Sequence, residues 1–304
     1  MRATRGIPIA LLTAGLLLCG CSLNFVRTPV GDAWRQSPVA PVSGAHHFDR
    51  VLIIVLENQD YEAAIRDPYL GRLATIGANF TDFHGLFHPS YSNYLAMVAG
   101  KEIVTHFDRQ VDLPDRTIAD LLGARGFTWK NYAEGYPGNC FTGAFHGSYA
   151  RKHVPFLSFE NVQKGACDHV VDGAQFALDL NAHALPNYSF YSPDQDDDGH
   201  DPVDKPAVGL AKGSKWLSGF LNPLLENQPF MQETLTIVTY DESTVRRNDK
   251  NHIYTVFLGG MVKPGQYSAN YNHYNVLRTI EDNFVLGTLA DGDGNARPIT
   301  GVWK

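Results

Sequence analysis

The sequence predicts an α/β fold: a doubly wound, mostly parallel central sheet with helices on both faces. Three observations carry this. Residues 50–56 (Arg-Val-Leu-Ile-Ile-Val-Leu) form an unbroken apolar, β-branched run, the pattern of a strand buried on both faces. Strand-like and helix-like segments then alternate along the chain. Three of the strands run into polar residues: Leu56 into Glu57, Tyr191 into Asp194, and Tyr240 into Asp241. In open α/β sheets ligands sit beyond the carboxyl ends of the strands, so residues far apart in sequence can meet in one cleft there.

The elements follow in order. Residues 69–76 read as a helix ending at Gly77, and 92–98 as a helix closed by Gly100. Residues 117–122 make a third helix and 126–132 the next strand. Residues 187–191 form a strand that ends in a polar loop, and 213–225 an amphipathic helix. Residues 235–240 form a strand that meets Asp241 and Glu242; 253–258 form another, and 274–284 a final helix.

Composition is that of a globular chain, 44% hydrophobic and 19% charged over 304 residues. The formal net charge of −7 argues against a nucleic-acid partner and against unspecific adhesion to anionic membranes. The first twenty residues lie outside the fold. Arg2 and Arg5 precede an apolar run over 7–18 that is too short to span a bilayer, and Leu18-Cys19-Gly20-Cys21 follows. A small residue before a cysteine, after such a run, is similar to a bacterial lipobox. Residues 1–20 are then a lipoprotein signal peptide, with an ordinary cleaved signal as the alternative. Cys21 is the lipidated residue, and 21–46, rich in Pro, Ser, Gly and Ala, is a tether to the domain at 47–304. The only membrane contact expected is through that lipid. Ser22 in place of Asp favours an exported, outer-membrane or periplasm-facing location. Cys140 and Cys167 remain, read as a disulfide pair or as two buried thiols.

A divalent cation needs several oxygen or imidazole ligands on rigid elements. Glu57, Asn58, Asp241 and Glu242, at strand ends, suit this, although each acid alone reads equally well as a solvated loop residue. In the run Asp196-Asp197-Asp198-Gly199-His200-Asp201 the spacing does not match an EF-hand. His200 is its informative member, because flanking acids favour the imidazolium. Ser90 lies at the start of a helix. A serine there is most often an N-cap, yet the same position favours a bound anion through the helix dipole and free N–H groups. No GxSxG elbow and no Walker A loop occurs. Of the twelve histidines, His153, His200 and His273 stand out, with His84, His88 and His252 weaker.

Six blocks occur in order: Leu56-Glu57-Asn58-Gln59-Asp60-Tyr61; His88-Pro89-Ser90-Tyr91-Ser92-Asn93-Tyr94; Lys152-His153-Val154-Pro155-Phe156; Asp198-Gly199-His200-Asp201; Thr239-Tyr240-Asp241-Glu242; and Asn272-His273-Tyr274. Together they resemble the phosphoesterase family of acid phosphatases and bacterial phospholipases C, within the alkaline-phosphatase-like superfamily. In detail they are most like the fungal-type secreted acid phosphatases. The resemblance covers about 50–284. It implies a metal set of Glu57, Asn58, Ser90, Asp241 and Glu242, one divalent ion (Ca, Mg, Mn or Zn), and Ser90 as nucleophile. It also implies Asn93 on the phosphoryl oxygens, His153 and His200 lining the phosphate pocket, and supporting places for Asp198 and His273. Ser92 stands where the family usually has proline. The expected activity is metal-dependent phosphomonoester hydrolysis through a phosphoserine on a small phosphorylated substrate, with no protein partner inferred. Two alternatives are a phospholipase C or other phosphodiesterase on the same scaffold, and a lipid-anchored binding protein without catalysis.

Overall fold

The structure, a computed structural model, describes residues 46–105, 107–244 and 250–304. The expected signal at 1–20, the lipidation site Cys21 and the tether up to residue 45 lie outside the described residues.

Strand β1 (Arg50–Leu56) has all seven residues buried. Successive strand side chains point to opposite faces, so both faces of β1 are covered. Seven more strands complete its sheet among the described residues: β2 (Ala78–Phe80), β3 (Trp129–Ala133), β4 (Val170–Asp172), β5 (Tyr188–Ser192), β6 (Thr234–Tyr240), β7 (Thr255–Leu258) and β8 (Gly265–Tyr267). Their order across the sheet is β8-β2-β7-β6-β1-β5-β3-β4. From β6 to β4 all neighbours are parallel. Strand β7 runs antiparallel to both β6 and β2, and β8 is parallel to β2. The fold is therefore α/β with a mostly parallel sheet, as the alternation of segments predicts.

Five helices matter for the site: α1 (Pro68–Ile76), α2 (Ser90–Ala99), α3 (Ile118–Ala124), α4 (Pro206–Glu226) and α5 (His273–Phe284). Local chemistry starts them. Asp67 Oδ1 accepts from the N–H of Tyr69 and of Leu70, and Thr117 with Asp120 forms a capping box on α3. Asn272 and Asn275 do the same for α5. Helix α2 packs against α5, and α1 against α4. Gly100 ends α2 in the left-handed region at φ 68°, where a side chain is disfavoured.

Helix α4 begins seven residues earlier than the amphipathic pattern at 213–225 suggests. Its first turns hold Gly209 and Gly213, poor helix formers that weaken the local signal. Packing explains them. A Cβ on Gly209 would lie 2.4 Å from the Gly199 carbonyl oxygen, and one on Gly213 2.8 Å from Gly199 Cα. Only glycine lets α4 approach the Asp198–His200 loop this closely.

Cys140 and Cys167 form a disulfide with a Cα–Cα distance of 5.4 Å. No helix among the described residues is long and apolar enough to cross a membrane.

Glu281 lies on the buried face of α5 near Asp293. Burial, reinforced by the Asp293 carboxylate, pushes its carboxyl up to about 9. The folded chain therefore holds a proton there that the unfolded chain releases. Stability is lost as pH rises from the free carboxylate range toward the folded value, by at most about 1.4 kcal/mol per pH unit. Glu281→Gln, which mimics the neutral acid, is expected to flatten the fall in thermal midpoint between about pH 6 and 9. An unchanged slope in the variant would assign the proton elsewhere.

Candidate active site

The register of β1 against β6 pairs Leu56 with Tyr240, so Glu57 and Asp241 leave the sheet side by side. Glu57, Asp241 and Glu242 are each 1% exposed or less. Asn58 follows Glu57 at φ 43°, a left-handed conformation that asparagine tolerates better than most residues. That turn aims its backbone N–H at Asp241 Oδ1 (3.1 Å) and its Nδ2 at Glu242 Oε1 (2.9 Å).

Ser90 arrives from another part of the chain. Pro89 occupies the N-cap position and makes no side-chain cap, and Ser90 is the first helical residue of α2. The capping reading of Ser90 is thus corrected: its hydroxyl does not close the helix. Instead Ser90 Oγ lies 3.1 Å from Glu57 Oε2, 3.2 Å from Asn58 Oδ1 and 3.2 Å from Glu242 Oε1. Ser92, in the usual proline position, sits inside the first turn with its hydroxyl 3.3 Å from Thr105 Oγ1, so the helix start is intact.

Asn93 is fully buried, and its carboxamide is engaged locally. Oδ1 accepts from Leu86 N and Phe87 N (2.9 Å each), and Nδ2 donates to Phe87 O (2.9 Å). This shapes the loop ahead of Ser90 and leaves one Nδ2 hydrogen for any further partner.

Around the carboxylates lie basic groups. His153 Nε2 is 3.1 Å from Glu57 Oε1 and its Nδ1 is 3.7 Å from Asp198 Oδ2. The Tyr94 ring stacks on the imidazole, with centroids 5.2 Å apart. Lys152 Nζ is 3.6 Å from Glu57 Oε2 and 3.2 Å from Asp108 Oδ2. His88 Nδ1 donates to Glu242 Oε2 (2.5 Å). His273 is buried behind the cleft, where Nε2 donates to the Asp241 carbonyl oxygen (2.8 Å) and burial lowers it to about 4. His200 sits at the open edge, its Nδ1 3.0 Å from Asp201 Oδ1 and its N–H donating to Asp198 Oδ1 (2.9 Å).

These contacts set the charges. Burial works against the Glu57 carboxylate, but His153 and Lys152 more than offset it and hold Glu57 well below the usual range. Burial lowers His153, and the Glu57 carboxylate beside it works in the opposite direction. Asp241 is pushed well above its ordinary value by burial and then by Glu57 and Glu242. Asp198 is raised by burial and by Glu57.

The fold therefore gathers Glu57, Asn58, Ser90, Asp241 and Glu242 within hydrogen-bond reach. It puts His153 and Asp198 on the far side of Glu57 and His273 behind Asp241. Glu57, His153 and Asp198 bring ligand atoms within 4.8 Å of one another, a possible acidic and imidazole metal group. Asp241 Oδ2 and Asp198 Oδ2 are buried with no hydrogen-bond partner among the described residues. Buried, mutually repelling carboxylates with unpartnered oxygens fit a hard or borderline divalent cation. Sequence reasoning missed Lys152 and Asp108. Lys152 adjoins His153 in a recognised block, but Asp108 lies outside every block and carries no local signal.

A mostly parallel α/β sheet with a hydroxyl and several carboxylates converging at its strand ends defines an alkaline-phosphatase-like architecture. In agreement, a protein of the alkaline phosphatase superfamily from Vibrio parahaemolyticus superposes with a TM-score of 0.56 at 12% identity, over 83% of this chain and 71% of that one. The chain itself belongs to the phosphoesterase family, which matches residues 65–287. It is 36% identical to a probable acid phosphatase of Kluyveromyces lactis over 90% of its own length and 67% of that protein. It is 35% identical to a phosphatidylinositol-3-phosphatase of Mycobacterium tuberculosis over 84% of its own length and 83% of that one. The chain spans about two thirds of the length of the fungal acid phosphatases it matches.

Proposed function

We propose that the protein is an exported, metal-dependent phosphomonoesterase of the acid phosphatase type, with Ser90 as nucleophile. The observation that carries this is Ser90 Oγ. It is free of capping duty, lies at the positive end of α2, and is within 3.2 Å of Glu57, Asn58 and Glu242. Glu57, Asn58, Ser90, Asp241 and Glu242 would hold the cation. When bound, it would neutralise phosphoryl oxygens and lower the pKa of the serine hydroxyl.

The chain's own groups do the rest. The N-terminus of α2 and Lys152 draw the phosphate dianion into the cleft. Glu57 Oε2, held ionised by Lys152, orients the Ser90 hydroxyl, whose proton leaves to water. Ser90 Oγ bonds to phosphorus as the ester oxygen departs, leaving a phosphoserine that water then hydrolyses. His153 is buried with its Nε2 against Glu57, which leaves it the lesser candidate to protonate the leaving alcohol. His200, at the open edge beside Asp201, is the better-placed donor. His273 positions Asp241 through its backbone.

The Cys140–Cys167 disulfide supports an oxidising compartment, consistent with a lipid anchor at Cys21 and a domain beginning near residue 47. Monoester and diester readings separate on p-nitrophenyl phosphate against p-nitrophenyl phosphorylcholine. At least about 100-fold preference for the monoester in kcat/KM is expected. A reversed preference would establish a phosphodiesterase on this scaffold.

A further inference from the structure

Next to the catalytic cleft lies a second hollow of about 630 Å³, lined by Phe107, Asp108, Arg109, Phe145, Lys152 and Gln195 among others. Lys152 belongs to both spaces, since its Nζ reaches Glu57 and Asp108. The wall is tied to the nucleophile by a second route. Asp108 Oδ1 accepts from Tyr91 N (3.1 Å), the residue after Ser90 in α2.

Two large apolar side chains on this wall face solvent: Phe107 is 94% exposed and Phe145 61%. Both are presented by constrained backbone. Phe145 pairs with Ala150 in a short antiparallel hairpin. The chain just beyond it is locked by Arg151, whose guanidinium donates to the carbonyl oxygens of Thr142, Val111 and Leu157. Phe107 and Asp108 adopt φ of 50° and 57°, a left-handed conformation unusual for an aromatic residue. Arg109 makes no ion pair among the described residues, so its guanidinium is available to lie over a ring. Isolated exposed apolar residues are ordinary. Two phenyl rings and an unpaired arginine around one hollow, one residue away from a group bonded to the nucleophile helix, are not.

We infer that this hollow is the leaving-group subsite, and that it selects phosphomonoesters of flat aromatic alcohols by stacking the departing ring against Phe107 and Phe145. The inference rests on the phosphomonoesterase reading and extends it to substrate class. Glu57 Oε2 links the two spaces, 3.1 Å from Ser90 Oγ and 3.6 Å from Lys152 Nζ, so the hollow opens beside a phosphoryl group on Ser90. An aromatic leaving group then occupies the hollow, whereas a small aliphatic alcohol leaves it to water.

The test is the ratio of kcat/KM for 2-naphthyl phosphate to that for glycerol 2-phosphate, measured on the full chain, on Phe107→Ala, on Phe145→Ala and on the double variant. Both rings are exposed, so the truncations remove no core. The double variant is expected to lower the ratio about tenfold, mainly through KM for the naphthyl ester. A ratio that stays at the parent value overturns the subsite, even if both activities fall together. So does a double variant that keeps the ratio but loses binding to phosphatidylcholine vesicles, which would make the rings a membrane contact. A parent protein that cleaves neither ester overturns the phosphomonoesterase reading, and this proposal with it.

Discussion

Ser90→Ala is expected to lower kcat on p-nitrophenyl phosphate by about 10³-fold or more while the fold persists. The size follows from the role, because Ser90 Oγ is the hydroxyl that meets Glu57, Asn58 and Glu242 together. Survival of the fold follows from the helix start. Ser90 is the first helical residue, not its cap, and α2 is anchored instead by Asp108 on Tyr91 N and by Asn93 on the preceding loop. Circular dichroism and the thermal midpoint should match the parent closely. Acid quenching during turnover should trap phosphoserine in the parent and none in the variant. A folded Ser90→Ala protein with near-parent activity would remove Ser90 from the mechanism.

Removing divalent cations is the second large effect. Three carboxylates, Glu57, Asp241 and Glu242, are buried together with His88, His153 and Lys152 as their nearest basic side chains. Without a cation, Asp241 is held well above its usual range by burial and by its two acidic neighbours. The sign is that of a raised carboxyl. Cation-free protein loses stability as pH rises beyond the free carboxylate range. Chelation at neutral pH should therefore cut activity at least about 100-fold and lower the thermal midpoint. A cation at one hundred times its dissociation constant should restore about 2.7 kcal/mol of stability. Asp241→Asn separates repulsion from ligation. It should stabilise the chelated protein, by relieving repulsion, and lose most of the midpoint gain on adding Ca, Mg, Mn or Zn. If the parent's midpoint ignores every one of these cations, the carboxylates are held by protons and the metal reading fails.

Much of the frame was legible in the sequence because burial writes itself into composition. Residues 50–56 could only be a strand covered on both faces, and all seven are buried. The helices at 68–76 and 273–284 carry periodic apolar faces, that at 90–99 ends on the Gly100 signal, and the sequence places all three to within two residues at either end. The edge of the sheet was not legible. Strands Ala78–Phe80 and Gly265–Tyr267 are three residues each, too short for any period to show, and the antiparallel turn of Thr255–Leu258 is a property of pairing. The first turns of α4 were hidden by Gly209 and Gly213, which only the close Gly199 loop explains.

The site divides in the same way. By itself the sequence determined which residues end the strands, Glu57 with Asn58 and Asp241 with Glu242, because an apolar run has to stop where the polar chemistry begins. It also held the block order that places the chain in its family. Tertiary structure alone decided that Ser90 does not cap its helix but faces Glu57, Asn58 and Glu242. Whether the hydroxyl points back to its own helix or across to other strands is invisible locally, because the sequence reads the same in both cases. Structure alone likewise showed His153 buried beneath Tyr94 and Asn93 engaged with Leu86 and Phe87. It showed Lys152 and Asp108 linking the cleft to α2. Charge state and hydrogen-bond choice depend on neighbours brought from tens of residues away, and only packing supplies those neighbours.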